Sequence, residues 1–111
     1  MSDVNFRLDG KVVLITGASS GFGQHFAPAL ARQGAKVVVA ARRRNPLLAL
    51  EEQIEADGGK CLAVAMDVTD RNSVKEAFEQ AEAVFGCVDV LINNAGVGDS
   101  NAMFDVSSEE W

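Results

Sequence analysis

Four short apolar runs, Val12–Ile15, Val37–Ala40, Leu62–Ala65 and Val88–Ile92, recur along the chain, and three of them carry no polar alternation. A strand with one solvated face alternates apolar and polar residues, whereas a strand buried on both faces does not. Cover for both faces lies between the runs, in segments of helical period. In the first, Phe22, Phe26, Ala29 and Leu30 share a face; in the third, Val74, Ala77, Phe78, Ala81, Val84 and Phe85 form a stripe. The middle segment, Pro46 to Asp57, has a weaker period but clear limits. Asn45 is placed to cap it, Pro46 suits its first turn and Gly58-Gly59 stops it. Strands and helices that alternate with short connections predict an α/β fold with right-handed crossovers.

The punctuation agrees. Gly34 ends the first helix, Asp70 is placed to cap the third and Gly86 ends it. Ser107-Ser108-Glu109-Glu110 reads as a capping box that opens a fourth helix, and the sequence ends at Trp111, within its first turn. Pro28 falls inside the first helix, where it lacks an N–H and crowds the preceding turn, so a kink or loosened turn is expected there. No repeat, low-complexity tract or linker divides the 111 residues, which suit one small domain or part of one.

Charge and hydropathy exclude several functions. Ten Lys and Arg stand against 16 Asp and Glu, a net charge of −6, which argues against nucleic acid as the main partner. No apolar run approaches the roughly 20 residues of a membrane span. Met1-Ser2-Asp3-Val4-Asn5 lacks the basic and apolar regions of a secretory signal. Cys61 and Cys87 have no metal or redox spacing and read as small core residues in a reducing compartment, so a cytoplasmic location is expected. His25, the lone histidine, reads as a helix-surface residue, Met66 and Met103 as packing, and Glu76, Glu79 and Glu82 as a solvated face. Neither a Ser-His-Asp arrangement nor a metal-ligand set is present in the sequence.

The chemistry lies in the loop after the first run, Thr16-Gly17-Ala18-Ser19-Ser20-Gly21-Phe22-Gly23. Gly17 lets the chain turn sharply out of the strand, Gly21 leaves no Cβ where a pyrophosphate approaches, and Gly23 lets the helix pack close to the sheet. Free N–H groups and the dipole at the helix start attract phosphate, and Ser19 and Ser20 add hydroxyl donors. At the end of the second strand, where a chain preferring NAD carries an acid for the ribose 2′-hydroxyl, stands Arg42-Arg43-Arg44. An acid would repel a 2′-phosphate, whereas a guanidinium binds it bidentately, so NADP(H) is expected over NAD(H). At the third strand's end, the Asp67 carboxylate is placed to accept from the adenine amino group and the Val68 N–H to donate to a ring nitrogen. Asn93 and Asn94 end a buried strand, where amides must be paired and can tie strand ends together.

Thr16-Gly-x-x-x-Gly21-x-Gly23, Asp67-Val68 and Asn93-Asn94-Ala95-Gly96, in this order and at these separations, resemble the signatures of the short-chain dehydrogenases/reductases. The resemblance runs from Leu8 to Trp111 and implies a doubly wound, Rossmann-type α/β fold with parallel strands in the order 3-2-1-4. It implies a dinucleotide site made by Gly17, Ser19, Ser20, Gly21, Phe22, Gly23, Asp67, Val68, Asn94, Ala95 and Gly96. A basic residue just after the second strand accompanies NADP preference in that family, which points to Arg42 first and Arg43 second. The family's second basic position, before the second glycine, is Ser20 here, a departure that removes one supporting signal.

The family's activity is hydride transfer between a nicotinamide and a carbonyl or secondary alcohol. It rests on a Tyr whose pKa is lowered by a Lys four residues later, with a Ser and an Asn. The sequence has no tyrosine, so its catalytic set is none, and it resembles the N-terminal, cofactor-binding part of a single domain, truncated at the start of its fourth helix. A non-catalytic NADP(H)-binding module is the alternative reading. The resemblance further implies a small-molecule substrate and a homo-oligomer when intact. With the family's sheet continuing past the fourth strand, Val88–Asn93 would be an exposed apolar edge that favours aggregation.

Overall fold

The computed structural model describes residues 8–94 and the backbone of Met103–Asp105. In chain order the elements are β1 (Val12–Thr16), α1 (Gly21–Arg32), β2 (Lys36–Ala41), α2 (Asn45–Ala56), β3 (Lys60–Ala65), α3 (Arg71–Phe85), β4 (Val90–Asn93) and β5 (Met103–Asp105). They form one sheet in the order β3-β2-β1-β4-β5. β1 pairs in parallel with β2 (Leu14 opposite Val38) and with β4 (Leu14 opposite Leu91), and β2 with β3 (Val38 opposite Leu62). This is the expected doubly wound arrangement.

Helices cover both faces, which explains the non-alternating strands. Val13, Ile15, Val37 and Val39 face Ala27 of α1 and Leu47, Leu50 and Ile54 of α2. Their neighbours Val12, Leu14, Val38, Ala40 and Val64 face Ala77, Phe78 and Ala81 of α3. Leu14, Ile15, Val37, Val38 and Val39 are wholly buried, each contributing about 1.5–3 kcal/mol of hydrophobic stabilisation. Asp70 caps α3: Oδ1 accepts from the N–H groups of Asn72 at 3.0 Å and Ser73 at 3.4 Å. Gly86 closes α3 at φ +101°, a region that glycine enters without the Cβ penalty.

Several expectations are corrected. The outer edge of β4 is not open. β5 pairs with it antiparallel, Ile92 opposite Phe104, which removes the stated ground for aggregation. A parallel neighbour needs a crossover of about a dozen residues or more, and the connection from Asn93 to Met103 is shorter. The predicted fourth helix, at Ser107-Ser108-Glu109-Glu110, lies outside the described residues. The buried face of α1 is Gly23, Ala27 and Pro28, with Phe26 and Leu30 half-buried and Phe22 and Ala29 exposed. Close approach to the sheet selects the smallest residues, so the larger apolar ones fall to the flank. α1 runs through Pro28 to Arg32, although Pro28 offers no N–H to the turn before it. Asn45 does not cap α2 but is its first residue; Arg44, in helical conformation, occupies the cap position without a side-chain cap bond. Val84 is exposed on α3, and Cys87 is exposed while Cys61 is buried. His25, Glu76, Glu79 and Glu82 are exposed and Met66 is buried.

Candidate functional site

The sheet order reverses between β1 and β4, and the carboxyl ends of parallel strands at such a point form a crevice. A knot of polar groups closes its floor. The Thr16 hydroxyl, at the end of β1, donates to Asn93 Oδ1 at 2.9 Å and accepts from the Asn94 N–H at 2.8 Å. Asn94 Nδ2 then donates to Ser20 Oγ at 3.1 Å and to the Gly17 carbonyl at 3.4 Å. Thr16 is buried, and its hydroxyl stands among groups that would otherwise be unpaired beneath the loop. The two amides thus tie strand ends together as expected. The role of Thr16 went unread in the sequence, where one hydroxyl at the end of an apolar strand was the available signal.

The glycine loop is built from three different constraints. Gly17 adopts φ +63°. Ala18 then anchors the loop to β2, its N–H donating to the Ala40 carbonyl at 2.9 Å. Gly23 lies directly on Ala18: a Cβ there would come within 2.5 Å of the Ala18 carbonyl oxygen and 2.7 Å of its carbonyl carbon. Gly21 faces open space, with nothing within 4 Å of where its Cβ would be. Ser19 and Ser20 are exposed; Ser20 is the N-cap residue of α1, yet its side chain makes no cap bond. The start of α1 therefore keeps N–H groups for an anion. Phe22 is exposed and stacks on Phe26 with ring centroids 5.0 Å apart.

A cleft of about 380 Å³ opens above the loop, lined by Gly17, Ser19 and Ser20 of the loop, by Arg42, Asp67 and Val68 after β2 and β3, and by Asn94 after β4. The far wall is a turn fixed by its own hydrogen bonds. The Asp67 N–H donates to Ser73 Oγ at 2.8 Å. Asp67 Oδ1 accepts from the Thr69 hydroxyl at 2.7 Å and the Thr69 N–H at 3.0 Å. The Thr69 hydroxyl, then its N–H, and then the nearby Arg42 charge hold the Asp67 carboxyl below its ordinary value. Asp67 is thus an anion, and Val68 is exposed beside it. Arg42 and Arg43 are both exposed, but only Arg42 lines the cleft. Ala95 and Gly96 lie outside the described residues.

A larger cleft, about 580 Å³, lies at the opposite end of the sheet between α1 and α2, where Arg32 and Asp57 pair at 3.4 Å. It contains none of the residues that the sequence marks for cofactor binding, and both partners of that ion pair are well solvated. Among the described residues, no group of three or more His, Cys, Asp or Glu side chains is placed to hold a metal ion. Nor is any helix among them long and apolar enough to cross a membrane.

Comparison with known proteins bears on this crevice. The sequence profile described as short chain dehydrogenase matches residues 11–111. The 3-oxoacyl-[acyl-carrier-protein] reductase FabG of Escherichia coli is 39% identical over 105 residues, which cover 95% of this chain and 42% of that protein. The solved structure of a hydroxysteroid dehydrogenase from Escherichia coli superposes with a TM-score of 0.79 at 35% identity, covering 86% of this chain and 40% of that one. A Haemophilus influenza protein assigned as a D-mannonate oxidoreductase, solved with bound NAD, gives a TM-score of 0.80 at 28% identity, covering 95% of this chain and 40% of that one. The chain spans about two fifths of the length of each of these three.

Proposed function

Because the chain belongs to the short-chain dehydrogenase family, we propose that it is the cofactor-binding part of an NADP(H)-dependent oxidoreductase. The reaction of the whole protein, on this reading, is hydride transfer between the nicotinamide and a carbonyl or secondary alcohol of a small molecule. The observation that carries the cofactor choice is the wall of the cleft at the end of β2. There the chain reads Arg42-Arg43-Arg44, with Arg42 lining the cleft, and the carboxylate on the same wall, Asp67, comes from the end of β3. A preference for NAD is ordinarily served by an acid at the end of β2 itself.

The residues present fit such a cofactor. Open space over Gly21 and a helix start without a side-chain cap suit a pyrophosphate. Gly17, Ser19, Ser20, Gly21, Phe22 and Gly23 would hold the phosphates, and Arg42, aided by Arg43, the ribose 2′-phosphate. Asp67 and Val68 would hold the adenine, and Asn94, Ala95 and Gly96 the nicotinamide side. The cofactor, when bound, supplies or accepts the hydride; these residues bind and orient it. None of the 111 residues is a tyrosine, so proton transfer to or from the substrate oxygen falls to groups outside this stretch. A cytoplasmic homo-oligomer is the matching context.

Isothermal titration of the full-length protein with NADP⁺ and NAD⁺ tests the cofactor choice. A charge-assisted contact to the 2′-phosphate is worth about 1.5–3 kcal/mol, so NADP⁺ should bind roughly 10- to 100-fold more tightly, and Arg42→Asp should reverse the order. Equal dissociation constants, unmoved by that substitution, would refute it. Turnover is read separately, by NADPH oxidation with a panel of ketones. Binding without turnover would leave a cofactor-binding module.

A further inference from the structure

β3 is an edge strand, and the peptide groups on its outer side have no strand to pair with. At Ala63 both outward groups are taken by side chains of the α2 region. The Arg44 Nε–H donates to the Ala63 carbonyl at 3.0 Å, and Glu51 Oε2 accepts from the Ala63 N–H at 3.0 Å. A guanidinium and a carboxylate thus imitate the missing neighbour strand at one residue.

The position of this clamp matters for the cleft. The chain leaving β2 is already fastened to the segment after β3 at Ala41, whose carbonyl accepts from the Met66 N–H at 2.7 Å. Its second attachment to β3 is Arg44. Arg42 and Arg43 are the two residues between these anchors, and Arg42 lines the cleft. Arg44, held with its Nε on Ala63, is turned to the sheet edge, while Arg42, two residues before it, lines the cleft.

We infer that Arg44 is a positioning residue for recognition of the adenosine 2′-phosphate: bonded to Ala63, it sets the turn from which Arg42 reaches the phosphate. Glu51 completes the clamp from the first turns of α2. The inference rests on the NADP(H) reading above and adds a residue to it that touches no cofactor.

Dissociation constants of the full-length protein for NADP⁺ and NAD⁺ are to be measured for the native sequence, Arg44→Gln, Arg44→Ala and Arg44→Lys. Loss of the clamp should weaken NADP⁺ roughly five- to tenfold in Arg44→Ala, a part of the roughly 10- to 100-fold that the direct Arg42 contact is worth. NAD⁺ should be unchanged, because it has no 2′-phosphate. Arg44→Lys, which keeps a cationic donor for the carbonyl, should restore most of the preference, and Arg44→Gln less of it. Equal weakening of both cofactors would mean a merely structural role and would overturn the inference, as would no change in either. A native protein with no preference for NADP⁺ would instead bring down the cofactor reading, and this inference with it.

Discussion

Gly23→Ala and Gly21→Ala add the same methyl group to one loop and should have opposite consequences. At Gly23 the new Cβ would sit within 2.5 Å of the Ala18 carbonyl oxygen and 2.7 Å of its carbonyl carbon. Both are backbone atoms, so no rotamer change relieves the overlap. Ala18 cannot drift either, since its N–H is bonded to the Ala40 carbonyl at 2.9 Å. Overpacking of this kind costs about 1–3 kcal/mol, and a clash with fixed backbone belongs at the top of that range. Against it stands the helical preference of Ala over Gly, about 1 kcal/mol. The net loss is about 2 kcal/mol, roughly a thirtyfold shift in the folding equilibrium. At Gly21 there is nothing to strike, so stability should hold or rise slightly, while the methyl group fills space assigned to a pyrophosphate. Urea unfolding of both full-length variants reads the first difference from the midpoints at constant m-value, and cofactor titration reads the second. If Gly23→Ala unfolded at the midpoint of the native protein, the close approach of α1 to the loop would be refuted. If Gly21→Ala bound cofactor as well as the native protein, the phosphate would have to lie elsewhere.

Three further outcomes follow from single side chains. Thr16→Val keeps the shape of the side chain but leaves the Asn94 N–H and Asn93 Oδ1 without their partner, which should cost about 1–3 kcal/mol, with Thr16→Ser recovering part of it; denaturant midpoints check this. Burial, and then the charges of Glu51 and Glu55, push the Cys61 thiol up from 9.0 to about 12. A group whose pKa is raised on folding contributes stability that is complete below its unfolded value and is lost as pH climbs toward the folded one. Stability should therefore fall between about pH 9 and pH 12, and Cys61→Ala should flatten that part of the profile. At neutral pH, iodoacetamide should label exposed Cys87 and spare Cys61 until the protein unfolds.

The parallel core was legible because its signal is local: a strand such as Val37–Ala40 has no polar partner in alternation, which only burial on both faces explains. The caps of α3 were legible for the same reason, since Asp70 and Gly86 act on their own neighbours. What escaped depends on distances between elements. The helical period of Phe22, Phe26, Ala29 and Leu30 points to one face of α1, but the buried surface there is set by how near Gly23 lets the helix come to Ala18. The partner of β4 could not be anticipated, because an antiparallel pairing with Met103–Asp105 is a choice made by the return of the chain and not by its composition. In the site, Arg42 and Asp67 were singled out one by one and the cleft brings them together. Thr16 and Arg44 were passed over because their partners, Asn93 and Ala63, are meaningful only in three dimensions.

The Thr16–Asn93–Asn94 knot also sets a timetable. Its members are separated by 77 or 78 residues of chain. During synthesis at about 5–20 residues per second, β1 emerges roughly 4–15 s before the strand that completes the floor of the crevice. Once Ala40 has emerged, the glycine loop has its contact to β2 but no counterpart for its hydroxyl and carbonyl groups on the β4 side. A nucleotide present in the cell thus meets the finished crevice only after the nascent chain has brought these residues, 77 or 78 apart, together. Cofactor added to a refolding reaction should accordingly raise the yield of the native state without hastening its appearance.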